Sequence, residues 1–159
     1  MLRPVRDGDE ATLLEIFSDP TVTRWWGDPR DAVADTMQND DENAHYIIEL
    51  DGEAIGMIQS YEESDAMYRH AGIDISIREP WQGKGFGPEA IKVLARYLVD
   101  DRGHHRLIID PAAHNVNAIK AYERVGFKAV GVMRKYERGL DGTWHDGLLM
   151  DLLADELRD

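Results

Sequence analysis

PWQGKGFGP, residues 80–88, sets three glycines between a predicted strand and a predicted helix. Glycine permits positive φ and lets the backbone approach a ligand closely. Free N–H groups at the start of a helix attract anions. Pro88 suits the first turn of a helix, where a missing N–H donor costs nothing. The stretch therefore predicts a phosphate-binding loop.

Two well-known phosphate motifs do not fit this loop. A P-loop requires serine or threonine after the lysine, but Lys84 is followed by Gly85. The dinucleotide-binding fingerprint would require glycine at position 88, where proline stands. The remaining pattern is Q-x-x-G-x-G, formed by Gln82, Gly85 and Gly87.

The segments around the loop predict one domain, residues 1–159, of the α/β or α+β class with a mixed sheet. An Asp7–Glu10 capping box begins the first helix, which Asp19-Pro20 ends. Asp51-Gly52 predicts a type I′ hairpin. Apolar alternation and helical periodicity predict strands at 2–6, 45–50, 53–61, 67–77, 106–110, 127–133 and 148–152, and later helices at 30–39, 87–100 and 115–124.

The composition is acidic and lacks cysteine. The chain of 159 residues has 31 acidic and 18 basic residues, and its formal net charge is −13. Such a charge repels nucleic acid and anionic membranes and attracts cations. The absence of cysteine excludes disulfides, thiolate zinc sites and cysteine nucleophiles, and the six histidines show no metal-ligand spacing. We expect no metal, and a cytoplasmic monomer or homodimer without a signal peptide.

Six acids lie between residues 28 and 42, with Arg30 as the one base. They allow two interpretations. They form either a solvated surface that keeps the protein soluble or an electrostatic funnel for a polycation. The acids are Asp28, Asp31, Asp35, Asp40, Asp41 and Glu42.

A second motif stands downstream of the glycine loop. Residues 115–127, NVNAIKAYERVGF, fit N-x-x-A-x-x-x-Y-x-x-x-G-F. Together the two motifs resemble those of the GCN5-related N-acetyltransferases (GNAT), and the resemblance covers nearly the whole chain. It implies a mixed, mostly antiparallel, V-shaped sheet of about seven strands flanked by helices. The sheet would splay between the strands that end near Ile77 and Asp110, and acetyl-coenzyme A would bind in the gap.

The GNAT resemblance also implies roles for individual residues. The exposed backbone of Ile75 and Ile77 would pair with pantetheine, which Asn115 would also bond. Tyr122 would contact the coenzyme A sulfur and act as general acid. The coenzyme-binding residues would be Ile75, Ile77, Gln82, Gly83, Lys84, Gly85, Phe86, Gly87, Asn115, Ala118 and Tyr122.

Acetyl transfer to an amine requires a base for the ammonium proton and an acid for the leaving thiolate. Because cysteine is absent and no G-x-S-x-G elbow occurs, direct attack in a ternary complex is favoured over an acyl-enzyme. Asp110, at the end of a predicted strand, is the candidate base. Asp74 and a water-mediated route remain open alternatives.

A narrower resemblance points to the aminoglycoside 6′-N-acetyltransferases. It is carried by Trp25-Trp26-Gly27, Gln59-Ser60-Tyr61, Gly72-Ile73-Asp74 and Asp110-Pro111. It implies a polycationic small-molecule acceptor, acetylated at the 6′-amine of an aminoglycoside, with antibiotic resistance as the outcome. The acceptor would be bound by Trp25, Trp26, Gln59, Tyr61, Asp74 and Asp110.

Three other functions remain open. Gly142, Trp144, Asp146 and Met150 resemble the G-x-W-x-D-x-x-x-M ending of ribosomal-protein N-terminal acetyltransferases. A polyamine or siderophore acetyltransferase would also take an amine acceptor. A noncatalytic acyl-coenzyme A sensor would keep the glycine loop and Asn115 but would not require Tyr122 or Asp110.

Overall fold

The computed structural model describes residues 1–38, 40 and 42–159. Within these ranges it has seven strands and five α-helices. The strands are β1 Leu2–Pro4, β2 Asn43–Leu50, β3 Glu53–Glu63, β4 His70–Ile77, β5 Arg106–Ile109, β6 Lys128–Arg138 and β7 Trp144–Leu153. The helices are α1 Glu10–Phe17, α2 Pro20–Trp26, α3 Pro29–Thr36, α4 Phe86–Arg96 and α5 Val116–Val125.

The strands form one sheet in the order β1-β2-β3-β4-β5-β7-β6. Only β4 and β5 pair in parallel, and all the other neighbours are antiparallel. The α4 helix lies between these two strands in sequence, as a parallel connection requires. The predicted fold class, a mixed and mostly antiparallel sheet of seven strands with flanking helices, is confirmed.

The parallel pair separates soon after it forms. Its register contains only two pairs, Ala71 with Leu107 and Gly72 with Ile108. Because β4 runs on to Ile77, the last five residues of β4 have no partner on the β5 side. This divergence opens the sheet at the place where the glycine loop begins.

Two apolar clusters cover opposite faces of the sheet. One contains Ile91, Leu94 and Leu98 from the α4 side, packed on β4 and β5. The other contains Leu13 and Phe17 of α1 with strand residues. Burying side chains of this size stabilises the fold by about 1.5–3 kcal/mol each, so both faces contribute to holding the open sheet in place.

Several predicted boundaries need correction. Asp7 does not cap α1: the cap is Asp9, whose carboxylate accepts hydrogen bonds from Arg3 and from the Arg6 N–H. Pro20 does more than end α1, since it is the first residue of α2, which Asp19 caps. By contrast, the type I′ turn is confirmed, with positive φ at both Asp51 (50°) and Gly52 (82°).

Other element ends also differ from the prediction. β1 ends at Pro4, and β4 begins at His70 and not at residue 67. The α3 helix is shorter than the predicted range 30–39, of which Asn39 lies outside the described residues. The largest difference is the final hairpin. β6 continues to Arg138 and β7 already begins at Trp144. The predicted strands end at residue 133 and begin again at residue 148. A register shift between Met133 and Glu137 explains the miss, because it breaks the alternation that marks a strand.

Candidate active site

The opening between β4 and β5 forms a cleft of about 1390 Å³. Its walls come from α2, the end of β4, the glycine loop, α5, the end of β5 and β6. The predicted site residues that line it are Trp25, Trp26, Tyr61, Asp74, Ile75, Ile77, Gln82, Gly83, Gly85, Gly87, Asp110, Asn115, Ala118 and Tyr122. Three predicted residues, Gln59, Lys84 and Phe86, are not part of this lining.

The glycine loop has the backbone that an anion site requires. Gly83 and Gly85 have φ values of 70° and 89°, which L side chains rarely adopt. Gly85 caps α4, so the first free N–H groups of an eleven-residue helix follow directly. Phe86 packs on the core and Lys84 is exposed. The loop therefore offers backbone donors, and its fit to a pyrophosphate does not depend on Lys84.

Gln82 holds the loop in position. Its Nε2 donates 2.8 Å hydrogen bonds to the carbonyl of Ile77 and to Oγ1 of Thr21 on α2. Asp19 makes a second link, since its carboxylate accepts from the Glu79 N–H at 2.8 Å and also caps α2. The side chain of Gln82, predicted to bind coenzyme, thus joins the loop to β4 and α2.

The free edge of β4 can receive an extended, amide-containing chain. The Arg78 N–H donates to the Ile55 carbonyl at 2.9 Å, so this pair is hydrogen-bonded across β3 and β4. Since bonding alternates along a strand, the N–H and C=O groups of Ile75 and Ile77 face away from β3. Gln82 occupies the Ile77 carbonyl. The groups left for the amides of a pantetheine arm are those of Ile75 and the Ile77 N–H.

The α5 helix forms the opposite wall. Asn115 caps it by accepting from the Ala118 N–H at 3.3 Å. Tyr122 is 9% exposed. Burial, with the nearby charges of Asp74 and Asp110, raises the pKa of its hydroxyl well above the ordinary value. The hydroxyl is therefore protonated at neutral pH, and since no hydrogen bond to it occurs within the described part of the chain, its proton is available for a ligand.

Two basic residues on α5 also line the cleft and were missed. Lys120 and Arg124 stand one helical turn apart. The signal was present in their i, i+4 spacing, which puts both on one helix face. They give this wall of the cleft a positive charge in a protein whose net charge is −13.

Two carboxylates lie beside Tyr122. Burial, and then the charge of Asp110, raise the pKa of Asp74 to about 6, opposed by a 3.3 Å hydrogen bond from Gln59. Gln59 thus acts on the cleft through Asp74. The carboxylate of Asp110 accepts a 2.8 Å hydrogen bond from the hydroxyl of Tyr136. Asp74 and Asp110, predicted as candidates for the base, are brought together.

Aromatic side chains complete this end of the cleft. The ring of Tyr61 lies on Gly72, where an added Cβ would be 2.0 Å from the ring. Burial and both aspartates raise the pKa of Tyr61 to about 12. Trp25 packs on His114 with ring centroids 5.0 Å apart, and Trp26 packs on Phe17 at 5.4 Å. Trp26 therefore also belongs to the core, whereas Trp25 stands in the wall.

The β6–β7 hairpin supplies two lining residues that the sequence did not reveal, Tyr136 and Glu137. Burial and the charge of Asp110 raise the pKa of Glu137, so a third carboxylate stands near the first two. Asp141 and Asp146, at the end of the same hairpin, have structural partners. Asp141 accepts from Thr143 and contacts His145, and Asp146 accepts from the Lys135 N–H.

The acidic run does not form the cleft. None of its described residues lines the opening, and Asp41 lies outside the described residues. Asp28 caps α3, and Asp40 accepts hydrogen bonds from Asn43. Of the histidines, His104 is buried against Glu62, with 2.7 Å between Nε2 and the carboxylate, while His114 packs between Trp25 and His145. No group of three metal-ligating side chains occurs in residues 1–38, 40 and 42–159.

No helix among the described residues is both long and apolar enough to span a bilayer. Comparison with known proteins identifies the family of the chain. Residues 1–128 match the family described as the acetyltransferase (GNAT) domain. The chain is 31% identical over 153 residues to aminoglycoside N(6′)-acetyltransferase type 1 of Klebsiella pneumoniae, which covers 83% of this chain and 75% of that protein.

Two further comparisons are informative. Spermidine N(1)-acetyltransferase of Escherichia coli (strain K12) is 25% identical over 156 residues, 94% of this chain and 83% of that protein. A crystal structure of an aminoglycoside acetyltransferase with coenzyme A and kanamycin has a TM-score of 0.80 and 25% identity, over 98% of this chain and 95% of that one. The chain therefore belongs to the GNAT acetyltransferase family and is an acetyltransferase that acts on amines.

Proposed function

We propose that the protein transfers an acetyl group from acetyl-coenzyme A to the 6′-amine of an aminoglycoside. The observation that carries this proposal is the pair Asp74 and Asp110, set beside Tyr122 in a cleft that Trp25 and Tyr61 also line. Carboxylates attract the ammonium groups of a polycation, and an aromatic face suits a sugar ring. The 31% identical relative acts on the same class of acceptor by its name.

Acetyl-coenzyme A, when bound, supplies an activated thioester. The N–H groups that follow Gly85 are suited to its pyrophosphate, and the free edge at Ile75 is suited to its pantetheine arm. Asn115 and Ala118 lie on the opposite wall of the cleft. Because these groups come from fixed secondary structure, they orient the donor without a large ordering cost.

Tyr122 is the proton donor in this proposal. Its raised pKa keeps the hydroxyl protonated, as a general acid must be before the leaving group departs. The deep position of this hydroxyl, beside both carboxylates, suits a group that acts where donor and acceptor meet. Because the chain has neither a cysteine nor a G-x-S-x-G elbow, direct attack by the amine in a ternary complex is favoured over an acyl-enzyme.

Asp74 is the better candidate for the base. With a pKa of about 6 it is ionised at neutral pH and is a stronger base than an ordinary aspartate, as catalysis near neutrality favours. Asp110, the base predicted from the sequence, is then the residue that anchors an ammonium group. Either residue acts directly or through one water.

A polyamine is the second candidate acceptor. The observation that favours it is the 25% identical relative, which is named as a spermidine acetyltransferase and spans 94% of this chain. Spermidine is also polycationic, so the same carboxylates would attract it.

We further propose that the protein is a single domain, is located in the cytoplasm and is a monomer or homodimer. Antibiotic resistance would be the outcome of aminoglycoside acetylation.

Thiol release from acetyl-coenzyme A with a small acceptor panel tests the proposal. The panel contains kanamycin, tobramycin, an aminoglycoside with a 6′-hydroxyl group, spermidine, and a peptide with a free N terminus. We expect turnover with the 6′-amino compounds and none with the 6′-hydroxyl compound or the peptide. Turnover with the peptide alone would replace the proposal with N-terminal acetylation, and no turnover with any amine would favour an acyl-coenzyme A sensor.

A further inference from the structure

Tyr136 gives the β6–β7 hairpin a direct connection to the acceptor end of the cleft. Its hydroxyl donates a 2.8 Å hydrogen bond to Oδ2 of Asp110. Resting on the proposed function, we propose that Tyr136 is a positioning residue, which fixes the Asp110 carboxylate in the orientation that receives an ammonium group of the acceptor.

The geometry of Asp110 leaves room for that ammonium group. Within the part of the chain that the structure describes, the bond from Tyr136 is the only hydrogen bond to its side chain. One carboxylate oxygen is therefore held, and Oδ1 is left for the acceptor. Because a carboxylate without a fixed partner rotates freely, the Tyr136 bond reduces the ordering cost of binding.

Gly147 provides the seat for the Tyr136 ring. A Cβ at Gly147 would lie 2.9 Å from Cδ1 of the tyrosine and 3.3 Å from the methyl carbon of Met133. Contacts below 3.0 Å force a neighbour to move, so a larger residue at 147 would displace the ring. Glycine at this position lets the hairpin place the hydroxyl against Asp110.

Asp146, the neighbour of Gly147, fixes the backbone of the opposite strand. Its Oδ1 accepts a 2.8 Å hydrogen bond from the Lys135 N–H. Lys135 has a φ of 49°, a left-handed conformation that is uncommon for lysine. It lies in the register shift between Met133 and Glu137, and a bulge of this kind re-aims the next side chain. Asp146 of the G-x-W-x-D segment therefore has a role in aiming Tyr136.

The local charges explain why Asp110 needs a fixed donor. Asp74 and Glu137 both carry raised pKa values, to which the charge of Asp110 contributes. Mutual repulsion would turn the Asp110 carboxylate away from the cleft. The hydrogen bond to Asp110, with burial, raises the pKa of Tyr136 to about 12, so the phenol stays a donor at any working pH. Hydrogen bonds to ionised acceptors are the stronger kind.

The first test is Tyr136→Phe in the full-length protein, with kanamycin as acceptor, or spermidine if the wild type prefers it. We expect the acceptor KM to rise about tenfold, while the KM for acetyl-coenzyme A changes by less than about twofold. The matched control is Tyr68→Phe, a change at a phenol that is 73% exposed and lies outside the cleft. An unchanged acceptor KM in Tyr136→Phe would overturn the inference.

A double-mutant cycle separates the inference from the proposed function. If Tyr136 acts through Asp110, then Tyr136→Phe has an effect of less than about twofold in an Asp110→Asn background. The same tenfold effect in that background would overturn the positioning role. If Asp110→Asn alone leaves the acceptor KM unchanged, the acceptor role of Asp110 fails and the inference fails with it. If only Tyr136→Phe has no effect, the proposed function survives and the inference does not.

Gly147→Ala tests the seat while the phenol remains present. We expect it to raise the acceptor KM severalfold, because the displaced ring no longer reaches Asp110. Gly131→Ala on β6 is the matched control, since an added Cβ there meets no atom within 4 Å. Thermal melting of both variants checks that they fold. A folded Gly147→Ala variant with the wild-type acceptor KM would overturn the proposal.

Discussion

The part of the cleft proposed to bind coenzyme (the coenzyme end) and the part proposed to bind the acceptor (the acceptor end) are formed by different kinds of groups. The coenzyme end uses backbone: positive φ at Gly83 and Gly85, the start of α4, and the free edge of β4. The acceptor end uses side chains from separate parts of the fold. Three of these side chains, Asp74, Asp110 and Glu137, are carboxylates. Tyr122 stands where the two meet, since its pKa responds to both aspartates.

This difference predicts that the two ends of the cleft differ in their sensitivity to substitution. A backbone cradle accepts the constant parts of the donor and is insensitive to most side-chain changes. Side chains on separate elements can be exchanged one by one, so the acceptor end sets specificity. Variants at the two ends should therefore change different kinetic constants.

The largest effect on kinetics is expected at Tyr122, where the two ends of the cleft meet. Replacing Tyr122 with Phe should lower kcat about a hundredfold, the lower range for loss of a general acid, with little change in either KM. Steady-state kinetics with both substrates varied measures this, and Tyr97→Phe on the helix surface is the control. A wild-type kcat in Tyr122→Phe would remove this residue as the acid.

The next largest effect is expected at Asp74. Asp74→Asn should lower kcat/KM for the acceptor about thirtyfold, or roughly 2 kcal/mol, because the proposed base and its negative charge are lost together from a half-buried site. The KM for acetyl-coenzyme A should stay constant. Asp31→Asn, in the acidic run outside the cleft, is the control and should change kcat/KM for the acceptor less than about twofold. Equal effects at both positions would mean that general charge, and not the site, attracts the acceptor.

A smaller effect is expected on pH dependence. Since the pKa of Asp74 is about 6, kcat/KM for the acceptor should fall as the pH drops below about 6, where the carboxylate is neutral. In Asp74→Asn this acidic limb should disappear. A limb that persists unchanged in the variant would assign the titration to another group.

The raised pKa of Asp74 also predicts how the stability of the fold depends on pH. The folded-state pKa of Asp74 is raised, so the ionised form destabilises the fold and protonation stabilises it as the pH falls through 6. Asp74→Asn should therefore melt about 3 °C higher than the wild type at pH 7.5. The difference should vanish near pH 4 and below. A lower melting temperature at pH 7.5 would contradict the assigned cost of the charge.

The smallest effect is expected at the α5 wall of the cleft, where Lys120 and Arg124 lie. Lys120→Ala combined with Arg124→Ala should raise the KM for acetyl-coenzyme A about threefold at low salt, because exposed charges interact weakly. The effect should shrink at high salt, and the acceptor KM should not rise. Arg134→Ala on β6 is the control. A rise in the acceptor KM would show that Lys120 and Arg124 also act at the acceptor end.

The coenzyme end could be predicted from the sequence because it is local. The glycine loop and the Asn115–Gly126 helix are contiguous stretches whose backbone rules are known, and both have the expected conformations. The opening of the sheet was expected only from the family resemblance, since the point at which β4 and β5 part is a property of the folded sheet.

The acceptor end could be predicted only in part. Asp74 and Asp110 were found, but Tyr136 was not, because a left-handed residue at Lys135 breaks the alternation that would have aimed it. Its partner, Asp110, is 26 residues away in sequence. The acidic run shows the converse limit: a charge count predicts attraction for cations but not which acids line a cleft.

The most direct test of the central claim is kcat/KM for kanamycin and for spermidine, measured on one preparation by thiol release. We expect a value for kanamycin at least about tenfold higher, because the aromatic rings of Trp25 and Tyr61 can stack on a sugar ring and not on a linear chain. One tenfold step is about 1.4 kcal/mol of transition-state binding. A higher value for spermidine would contradict the aminoglycoside assignment and leave a polyamine acetyltransferase on the same fold.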